Sequence, residues 1–315
     1  IYAKIKKQMG EELARLYAEA NQYAIDMVEK IMQEKSIQCD FVRLPAYTYT
    51  QSDQYVGQIE DEIDTARSLG IEASFQKELP LPFPVKAAMR FENQAQFHCL
   101  KFLKELARDI PGQGSHIFEQ TKAVNIQEGN PLTVVTEPGH QIKANQIVIA
   151  SHFPFFDGGG FYFSRIYLER SYVVAATIKE EFPEAHFISA EDPGRSLRYT
   201  PSKYGRLVLF GGEHHKTGHG TDTNKHYKNL LDFANQHYQI DKIYYRWSTH
   251  DCVTIDGVPY VGNLTARSPN IYVATGFGKW GMSNGIASAK ILSDLIITGD
   301  NPWAQVYNPS RFFTS

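Results

Sequence analysis

The feature that constrains this chain most is a glycine-rich turn near residue 280. The turn reads Gly276-Phe-Gly278-Lys-Trp-Gly281 and follows the apolar run Asn270-Ile-Tyr-Val-Ala-Thr275. A helical pattern then extends from about Met282 to Ile297. A strand, a G-x-G-x-x-G turn and a helix in this order are typical of a place where the backbone approaches a ligand closely and a helix N-terminus attracts negative charge.

A complete dinucleotide-binding unit needs more than this turn. It needs a second parallel strand that ends in an acidic residue roughly 20 residues further on. Asp294 falls inside the predicted helix, and the Asn301-Pro302-Trp303 segment that follows is not a strand. Three interpretations therefore remain: a self-sufficient pyrophosphate site, a purely structural strand–turn–helix, and a turn that touches another part of a flavin.

Composition excludes several classes of protein. The chain has 315 residues, a formal charge of −3 and no clustered Lys/Arg footprint for nucleic acid. No apolar run approaches the roughly 18 residues that a membrane-spanning helix needs. Cys39, Cys99 and Cys252 are widely spaced and form no CxxC pair. We therefore expect a reducing, cytoplasmic compartment.

Helical and strand patterns alternate along the chain. Apolar residues at three- and four-residue steps predict a helix over about 2–34, and a further helix is predicted over 94–109. The stretches 116–150 and 161–213 have the pattern of β-strands, with a turn at Pro138-Gly139 in the first. The mixture predicts an α/β fold.

Two C-terminal segments carry a more specific pattern. They are Val253-Thr-Ile-Asp-Gly-Val-Pro-Tyr-Val-Gly262 and Asn270-Ile-Tyr-Val-Ala-Thr-Gly-Phe-Gly-Lys-Trp-Gly-Met-Ser-Asn-Gly285. Together they resemble the C-terminal signature of the D-amino-acid oxidase/glycine oxidase superfamily of flavoproteins. The bacterial subgroup with a C-terminal Rieske iron–sulfur domain is resembled further by Ser196-Leu-Arg-Tyr-Thr-Pro201, Gly211-Gly-Glu-His-His-Lys-Thr-Gly218, Asn301-Pro-Trp-Ala and Tyr307-Asn-Pro-Ser-Arg-Phe312.

The resemblance implies an α/β fold with two interleaved domains. Residues 1–35, 92–152 and 250–315 are expected to form an incomplete, glutathione-reductase-like FAD-binding domain, and residues 36–91 and 153–249 a substrate domain with a mixed or antiparallel sheet. In the family, a G-x-G-x-x-G unit that grips the FAD pyrophosphate precedes an opening helix like this one, and the Rieske domain follows a tail like this one. We therefore expect the chain to be a fragment truncated at both ends.

Two further expectations follow from the resemblance, one about FAD binding and one about association with other chains. Without the pyrophosphate cradle, the chain by itself should hold FAD weakly or not at all. The missing strand should leave its neighbours with unpaired edges, and such edges pair with other chains. We therefore expect dimerisation, as in a homodimer, or aggregation rather than a monomer.

The resemblance also implies which residues contact the cofactor. The turn would run beneath the flavin ring, where backbone N–H groups of residues 278–283 would stabilise the anionic N1/O2 edge of the reduced flavin. Lys279 would add a positive charge or be an ordinary exposed lysine. Trp280 would stack on the ring or be a core or surface residue. Asp256 is interpreted as a turn residue first and a cofactor contact second.

Two other segments complete the expected cofactor site. Ala123 falls where relatives usually have a valine whose backbone pairs with adenine, and Ala150 and Ser151 end a strand beside the pyrophosphate and ring. Ordinary sheet core would look similar in sequence. The candidate cofactor-binding residues are Ala123, Ala150, Ser151, Asp256, Gly276, Phe277, Gly278, Lys279, Trp280, Gly281, Met282 and Ser283.

The substrate site is less marked in the sequence. Arg198 and Tyr199 lie on a strand that faces the flavin in relatives, where an arginine would clamp a carboxylate bidentately. Arg198 could instead be a surface or structural arginine, and His250 is a further candidate for a polar contact near the ring. The family implies oxidation of an amine or amino acid by hydride transfer to flavin N5, with no essential base, and no catalytic residue is assigned. Electrons would pass to or from a Rieske partner domain.

Two rival functions and three lesser motifs are weighed against this interpretation. The chain could be a scaffold that binds no flavin, or a metal-dependent hydrolase using His214, His215 and His219. The glycines around these histidines favour a loop over a helix, so no metal site is assigned. Gly158-Gly-Gly160 imitates a phosphate loop but precedes a predicted strand. Cys252 is interpreted as a packed thiol rather than a flavin tether.

Overall fold

The computed structural model of the chain describes residues 1–220 and 222–311. Contacts divide the chain into two compact units. The first contains Ile1–Lys7, Asp40–Phe97 and Leu168–Asp251, and the second contains Gln8–Cys39, His98–Tyr167 and the residues from Cys252 onward. Each unit is therefore assembled from separate stretches of chain. The predicted division into a cofactor half and a substrate half, with the boundaries given above, stays a prediction.

Helices and strands are numbered along the chain. The helices are α1 (Tyr2–Met9), α2 (Glu11–Glu34), α3 (Val56–Ser68, after a 3-10 turn at Asp53–Tyr55), α4 (Cys99–Arg108), α5 (Tyr162–Arg165), α6 (Asn224–His237), α7 (Gly281–Ile297) and α8 (Ala304–Tyr307). The strands are β1 (Val42–Thr50), β2 (Ala73–Gln76), β3 (Ala87–Gln96), β4 (Ala123–Gln127), β5 (Leu132–Thr136), β6 (Gln141–Ala144), β7 (Ile147–Ile149), β8 (Ile166–Ile178), β9 (His186–Ser189), β10 (Arg195–Ser202), β11 (Gly205–Lys216), β12 (Ile240–Thr254), β13 (Tyr260–Asn263) and β14 (Ile271–Thr275). The predicted α/β class is confirmed.

The first unit is built around a large mixed sheet with strand order β12-β8-β11-β10-β9-β1-β3-β2. β1 runs parallel to β9 and antiparallel to β3. β10 and β11 form a hairpin in which Ser202 pairs with Gly205, and Gly205 has a φ of +96° at the tight turn. Glycine adopts this positive φ without the steric cost that a Cβ would bring. The mixed sheet predicted from the resemblance is therefore confirmed.

One face of this sheet carries an aromatic core. Tyr47 and Phe187, on neighbouring strands, stack at 5.2 Å, and Leu197 and Phe210 are each 1% exposed beside them. α6 covers this face with Ala234, which is fully buried in the same cluster. Burial of an aromatic side chain contributes roughly 2–3 kcal/mol. Alternate residues of a strand, such as Leu197 and Tyr199 of β10, supply this core because every second side chain points to one face.

The second unit contains a sheet of order β13-β14-β7 and an antiparallel sheet of order β4-β5-β6. β14 is parallel to β7, with Ile271 opposite Ile147 and Val273 opposite Ile149. All residues of β14 are buried, as expected for a central strand that is covered on both faces. Gly139, at a φ of +90°, donates its N–H to the C=O of Thr136, so the predicted turn is confirmed.

Helices α2 and α7 pack against each other in the second unit. α2 presents small buried residues at helical spacing, including Ala14, Ala18 and Ala24, and α7 presents Ala287 and Ile291. Small side chains on one face let two helices approach closely and bury apolar surface. Among the described residues, none of the helices combines the length and apolar character needed to cross a lipid bilayer.

The structure corrects two predicted helix boundaries. The opening helix is not continuous over 2–34, because Gly10, with a φ of +89°, separates α1 from α2. An apolar repeat cannot reveal such a break when the pattern resumes in phase on the other side. The helix predicted over 94–109 begins only at Cys99, because pairing with β1 extends β3 to Gln96. Tertiary strand pairing overrides local helical preference there.

Three predicted strand or loop assignments are also wrong. Ile117 and Phe118 lie in an irregular segment rather than a strand. The residues after Gly160 form the short helix α5, because the Asp157 carboxylate accepts hydrogen bonds from the N–H groups of Phe161 and Tyr162 at 3.0 and 2.8 Å. An acidic side chain that satisfies free amides in this way starts a helix.

The predicted loop after Gly211 is in fact strand. β11 continues through Lys216, with an irregularity in its pairing with β8 between Gly212 and His215. A β-bulge of this kind absorbs an extra residue and lets a strand continue past glycines. Glu213, at a φ of +56°, lies at this bulge.

Candidate functional site

The two segments that the sequence placed beside a cofactor lie at one edge of the parallel strand pair. Ala150 and Ser151 follow the carboxyl end of β7, and Gly276 follows the carboxyl end of β14. Thr275 links them directly, because its hydroxyl donates a hydrogen bond to the C=O of His152. The carboxyl edge of neighbouring parallel strands is where open α/β sheets bind ligands.

Gly276 is required by packing within the protein. It has a φ of +78°, and a Cβ added there would lie 2.3 Å from Cγ2 of Thr254. No real Cβ tolerates that distance, so the Thr254 methyl group occupies the space that a side chain would need. Gly276 was predicted to belong to the ligand-binding turn. The structure shows in addition that Gly276 packs against Thr254, a contact that the sequence did not reveal.

Gly278 has a different environment. It has a φ of +56°, and a Cβ added there would meet no protein atom within 4 Å. The strain of a left-handed residue therefore favours glycine, while the adjacent space is open. Its N–H donates to the C=O of Cys252 at 2.8 Å, and the N–H of Trp280 donates to the C=O of Phe277 at 3.0 Å. The expectation that every N–H from 278 to 283 points at a ligand is therefore wrong for these two.

The start of α7 supplies the remaining amide donors. The N–H of Asn284 makes the first intrahelical bond, to the C=O of Trp280 at 3.1 Å. The N–H groups of Gly281, Met282 and Ser283 precede it and have no acceptor within the helix. Such groups and the helix dipole favour negative charge. The side chains of Lys279 and Trp280 next to them are exposed.

A buried polar network anchors this helix end. The Ser283 hydroxyl donates to Oδ1 of Asn21 at 2.6 Å, and Nδ2 of Asn21 donates to the Tyr307 hydroxyl at 3.2 Å. The Tyr307 hydroxyl donates to Oδ1 of Asn284 at 3.2 Å, and its ring stacks on Tyr17 at 5.7 Å. Burial raises the pKa of Tyr17, despite hydrogen bonds from both asparagines. A polar asparagine on the apolar face of α2 was the sequence signal for this network.

Asp256 forms an ion pair beneath the turn. Arg311 donates to both of its carboxylate oxygens, at 2.8 and 2.9 Å, and the Thr254 hydroxyl and Val258 N–H each donate to Oδ1 at 3.0 Å. Arg311 also donates to the carbonyls of Val258 and Pro259. Burial alone would raise the pKa of Asp256, but Arg311 and these donors hold it below its usual value. Asp256 thus has the role of a turn residue, and direct contact with a cofactor stays a prediction.

The other candidate cofactor residues are more dispersed. Ala123 pairs with Thr136 in the separate β4-β5-β6 sheet. The Ser151 hydroxyl donates to the C=O of Phe153 at 2.8 Å. Phe277 forms a bridge with Val253, and Met282 is 40% exposed. The Phe312 of the tail motif lies outside the described residues.

The substrate candidates lie on different faces of the large sheet. Arg198 is exposed, whereas Tyr199 is buried in the aromatic core, because adjacent residues of β10 point to opposite faces. The two therefore do not act from the same surface. His250, on β12, is exposed.

His186 is a neighbour of Arg198 that the sequence analysis missed. Its Nε2 lies 3.0 Å from Oε1 of Gln96. Burial first, and then the positive charge of Arg198, lower the pKa of His186 to about 4. The imidazole is therefore neutral near pH 7 and adds no charge beside the guanidinium. A lone histidine at the start of a short strand gave no sequence signal for this pair.

The histidines considered for a metal site are engaged elsewhere. Nε2 of His214 lies 3.2 Å from Asp192, and Nε2 of His215 lies 3.0 Å from the Tyr172 hydroxyl. His219 is exposed near the end of the described range 1–220. Within the part of the chain that the structure describes, no group of three or more suitable side chains could hold a metal ion. Cys252 is fully buried, in keeping with a packed thiol.

We predict that Gly276→Ala destabilises the protein by about 3 kcal/mol, because the new methyl group collides with Thr254 and the residue is strained at positive φ. Thr254→Ser removes the opposing methyl and keeps the hydroxyl that donates to Asp256 and Val258. The double variant should therefore recover part of the loss in urea unfolding. An equal loss from Gly276→Ala in both backgrounds would show that the contact with Thr254 is not the cause.

We predict that Asp256→Asn lowers the free energy of unfolding by about 3 kcal/mol near pH 7, because it leaves buried Arg311 without its charge partner. A folded-state pKa below the unfolded value stabilises the fold above the unfolded pKa, and this contribution is lost as pH falls through the folded pKa. The gap between wild type and variant should therefore shrink below about pH 4. Asp300→Asn, at an exposed carboxylate, is the control. A gap of constant size across the pH series would contradict the ion pair.

Comparisons with known proteins agree with these features. Residues 3–295 match the DAO family, described as FAD dependent oxidoreductase. YhfW of Bacillus subtilis (strain 168), named as a Rieske 2Fe-2S iron–sulfur protein, is 43% identical over 312 residues, which are 99% of this chain and 61% of YhfW. The chain thus spans about three fifths of the length of that relative.

Solved structures show the same fold. Glycine oxidase from Geobacillus kaustophilus superposes with a TM-score of 0.79 at 16% identity, over 96% of this chain and 84% of that one. L-proline dehydrogenase from P. horikoshii superposes with a TM-score of 0.75 at 18% identity, over 93% and 82%. The match over residues 3–295, together with the fold, shows that the chain belongs to the DAO family of FAD-dependent oxidoreductases.

Proposed function

We propose that the protein uses FAD to oxidise an amine or an amino acid. Family membership supports the cofactor, and the names of the solved neighbours, glycine oxidase and L-proline dehydrogenase, support the substrate class. The observation that carries the proposal is the open left-handed glycine, Gly278, at the carboxyl edge of β7 and β14 and directly before the N-terminus of α7.

The residues at this edge fit a flavin. The space beside Gly278 is open, three amides at the start of α7 have no acceptor within the helix, and the side chain of Trp280 is 49% exposed. Aromatic faces, free amides and a glycine that permits close approach are what a flat, partly anionic ring needs. A bound flavin would supply hydride acceptance at N5 from the C–H next to the substrate nitrogen.

The chain's own residues then have defined tasks. The amides of Gly281, Met282 and Ser283 would stabilise negative charge on the reduced ring, and Lys279 would add a positive charge at the same end. The bond from Ser283 to Asn21 would hold this helix end in position. Asp256 would keep the turn in place through Thr254. No residue is assigned as a catalytic base.

We predict that Gly278→Val raises the Kd for FAD by at least about tenfold, because the side chain enters the open space that the flavin needs. Gly299→Val is the matched control. Gly299 also has a positive φ, of +83°, and open surroundings, so both variants carry the same kind of backbone strain. FAD binding is measured by fluorescence quenching, and folding by a thermal melt.

The same titration tests the expectation that this chain holds FAD weakly. Specific loss of binding in Gly278→Val, at a melting temperature equal to that of Gly299→Val, supports the site. Equal FAD affinity in wild type and Gly278→Val would overturn the assignment of the turn. Failure of the wild type to bind FAD, even at high concentration, would agree with the expected lack of a pyrophosphate cradle, and it would count against FAD use by this chain on its own.

We further propose that Arg198 binds the carboxylate of the substrate. A guanidinium binds a carboxylate bidentately, and neutral His186 beside it does not compete as a second cation. The low pKa of His186, about 4, makes this histidine a reporter of the charge on Arg198. Arg198→Gln should raise the pKa of His186, and a carboxylate bound to Arg198 should raise it in the wild type.

The test is an NMR titration of His186 with glycine and L-proline as probes. We predict an upward shift of the His186 pKa in the wild type that is absent in Arg198→Gln, and a weaker effect in Arg198→Lys because the planar fork is lost. Lys203→Gln, which removes an exposed cation from the same hairpin, is the control. If the His186 pKa changes in Arg198→Gln but does not change when glycine or L-proline is added, Arg198 does not bind the carboxylate and is a structural residue.

We also propose that an iron–sulfur group takes part in electron transfer with this protein. The support is the name of YhfW, a Rieske 2Fe-2S protein of which this chain matches 61%. The proposal concerns the class of electron partner, and it leaves the substrate assignment independent. Reduction of the flavin by an amino acid in the absence of any iron–sulfur partner would support the substrate assignment independently of the electron partner.

A further inference from the structure

The outer strand of the large sheet, β12, has an unusual edge. β12 has 15 residues, whereas β2 at the opposite edge has 4. Short edge strands protect a sheet from pairing with other chains, and long ones offer a row of unpaired N–H and C=O groups. In the strand order of the described residues, β8 is the single neighbour of β12.

This edge is also apolar. Ile243, Tyr245 and Trp247 are 45%, 48% and 41% exposed. They alternate along β12, so their side chains point to the same side of the strand. Tyr244, between the first two, is partly buried against Leu209 and its neighbours. A stripe of large apolar residues along a long edge strand is typical of an association surface.

We propose that β12 pairs antiparallel with β12 of a second copy, about a two-fold axis at Tyr245. Dimerisation or aggregation through edges left by a missing strand stays a prediction, and pairing through β12 places self-association at the edge that this strand forms. In this register Ile243 lies opposite the partner's Trp247, and Tyr244 lies opposite the partner's Arg246. Both pairings occur twice by symmetry, and Tyr245 meets its own copy.

The absence of like charges opposite each other selects this register. Residues directly opposite each other in an antiparallel ladder point to the same face of the sheet. Since neighbouring residues of one strand point to opposite faces, the two-fold axis must lie midway between one residue and the same residue of the second copy. An axis at Tyr244 places Lys242 opposite the partner's Arg246, and an axis at Arg246 places that residue against itself and Asp241 against the partner's Asp251. Like charges opposite each other are destabilising. With the axis at Tyr245, Lys242 faces the partner's Ser248 and Asp241 faces the partner's Thr249.

The registers further out are poorer for other reasons. An axis at Ile243 pairs only residues 240–246 of the strand, because β12 begins at Ile240. It leaves Trp247 outside the ladder. An axis at Trp247 places Ile243 opposite the partner's Asp251, which sets an apolar side chain against a carboxylate. The axis at Tyr245 therefore gives the register in which Ile243, Tyr245 and Trp247 all pair with the same three residues of the second copy.

The test is sedimentation velocity of the 315-residue chain over a range of concentrations, with a reductant because Cys99 is exposed. We expect a species of twice the chain mass of 35.7 kDa. Tyr245→Lys places two ammonium groups at the axis and should raise the dimer Kd at least about tenfold. Leu103→Lys, at a 55% exposed leucine on α4, introduces the same charge away from this edge and should leave the Kd unchanged.

A charge exchange tests the register itself. Ile243→Glu and Trp247→Lys should each weaken the dimer, and the double variant should restore it, because each new carboxylate then lies opposite the partner's new ammonium group. Within one copy these positions are roughly 13 Å apart along the strand, too far to pair. A monomer at every concentration, a dimer insensitive to Tyr245→Lys, or a double variant no better than the single ones would each overturn the proposal.

Discussion

The candidate site depends first on the ion pair between Arg311 and Asp256. The guanidinium donates to both carboxylate oxygens and to the backbone carbonyls of Val258 and Pro259, so it ties the C-terminal segment to the turn that follows β12. The same carboxylate accepts the Thr254 hydroxyl, which fixes the orientation of that side chain. A buried pair of this kind is costly to break, because removal of one partner leaves an uncompensated charge.

The position of Thr254 decides how the glycine turn is formed. Its methyl group occupies the space beside Gly276, and the carbonyl of Cys252, two residues earlier, accepts the N–H of Gly278. The turn is thus held from below by its own chain, while the space next to Gly278 remains open. The two glycines of this motif, Gly276 and Gly278, are therefore required for different reasons. One is required by packing and the other by backbone conformation beside open space.

The second determinant is the anchoring of α7. Ser283 and Asn284 at the start of this helix bond to Asn21 of α2 and to Tyr307. A fully satisfied buried network fixes one arrangement of its members, because an unpaired polar group would be costly there. The amides at the start of α7 are therefore held in a defined place. This preorganisation is what a charge-stabilising helix end requires.

The sequence by itself determined the strand–turn–helix of β14 and α7, the Pro138-Gly139 turn and the family signature, because these depend on local periodicity, glycine conformation and short spacings. Tertiary structure decided the contacts between distant residues. Ser283 and Asn21 are 262 positions apart. Arg198 and Tyr199 are adjacent in sequence but point to opposite faces of the sheet. The bulge at Glu213 lets β11 continue past Gly211 and Gly212, where the sequence predicted a loop. Such pairings depend on which strands and helices meet in space, and no local pattern contains that information.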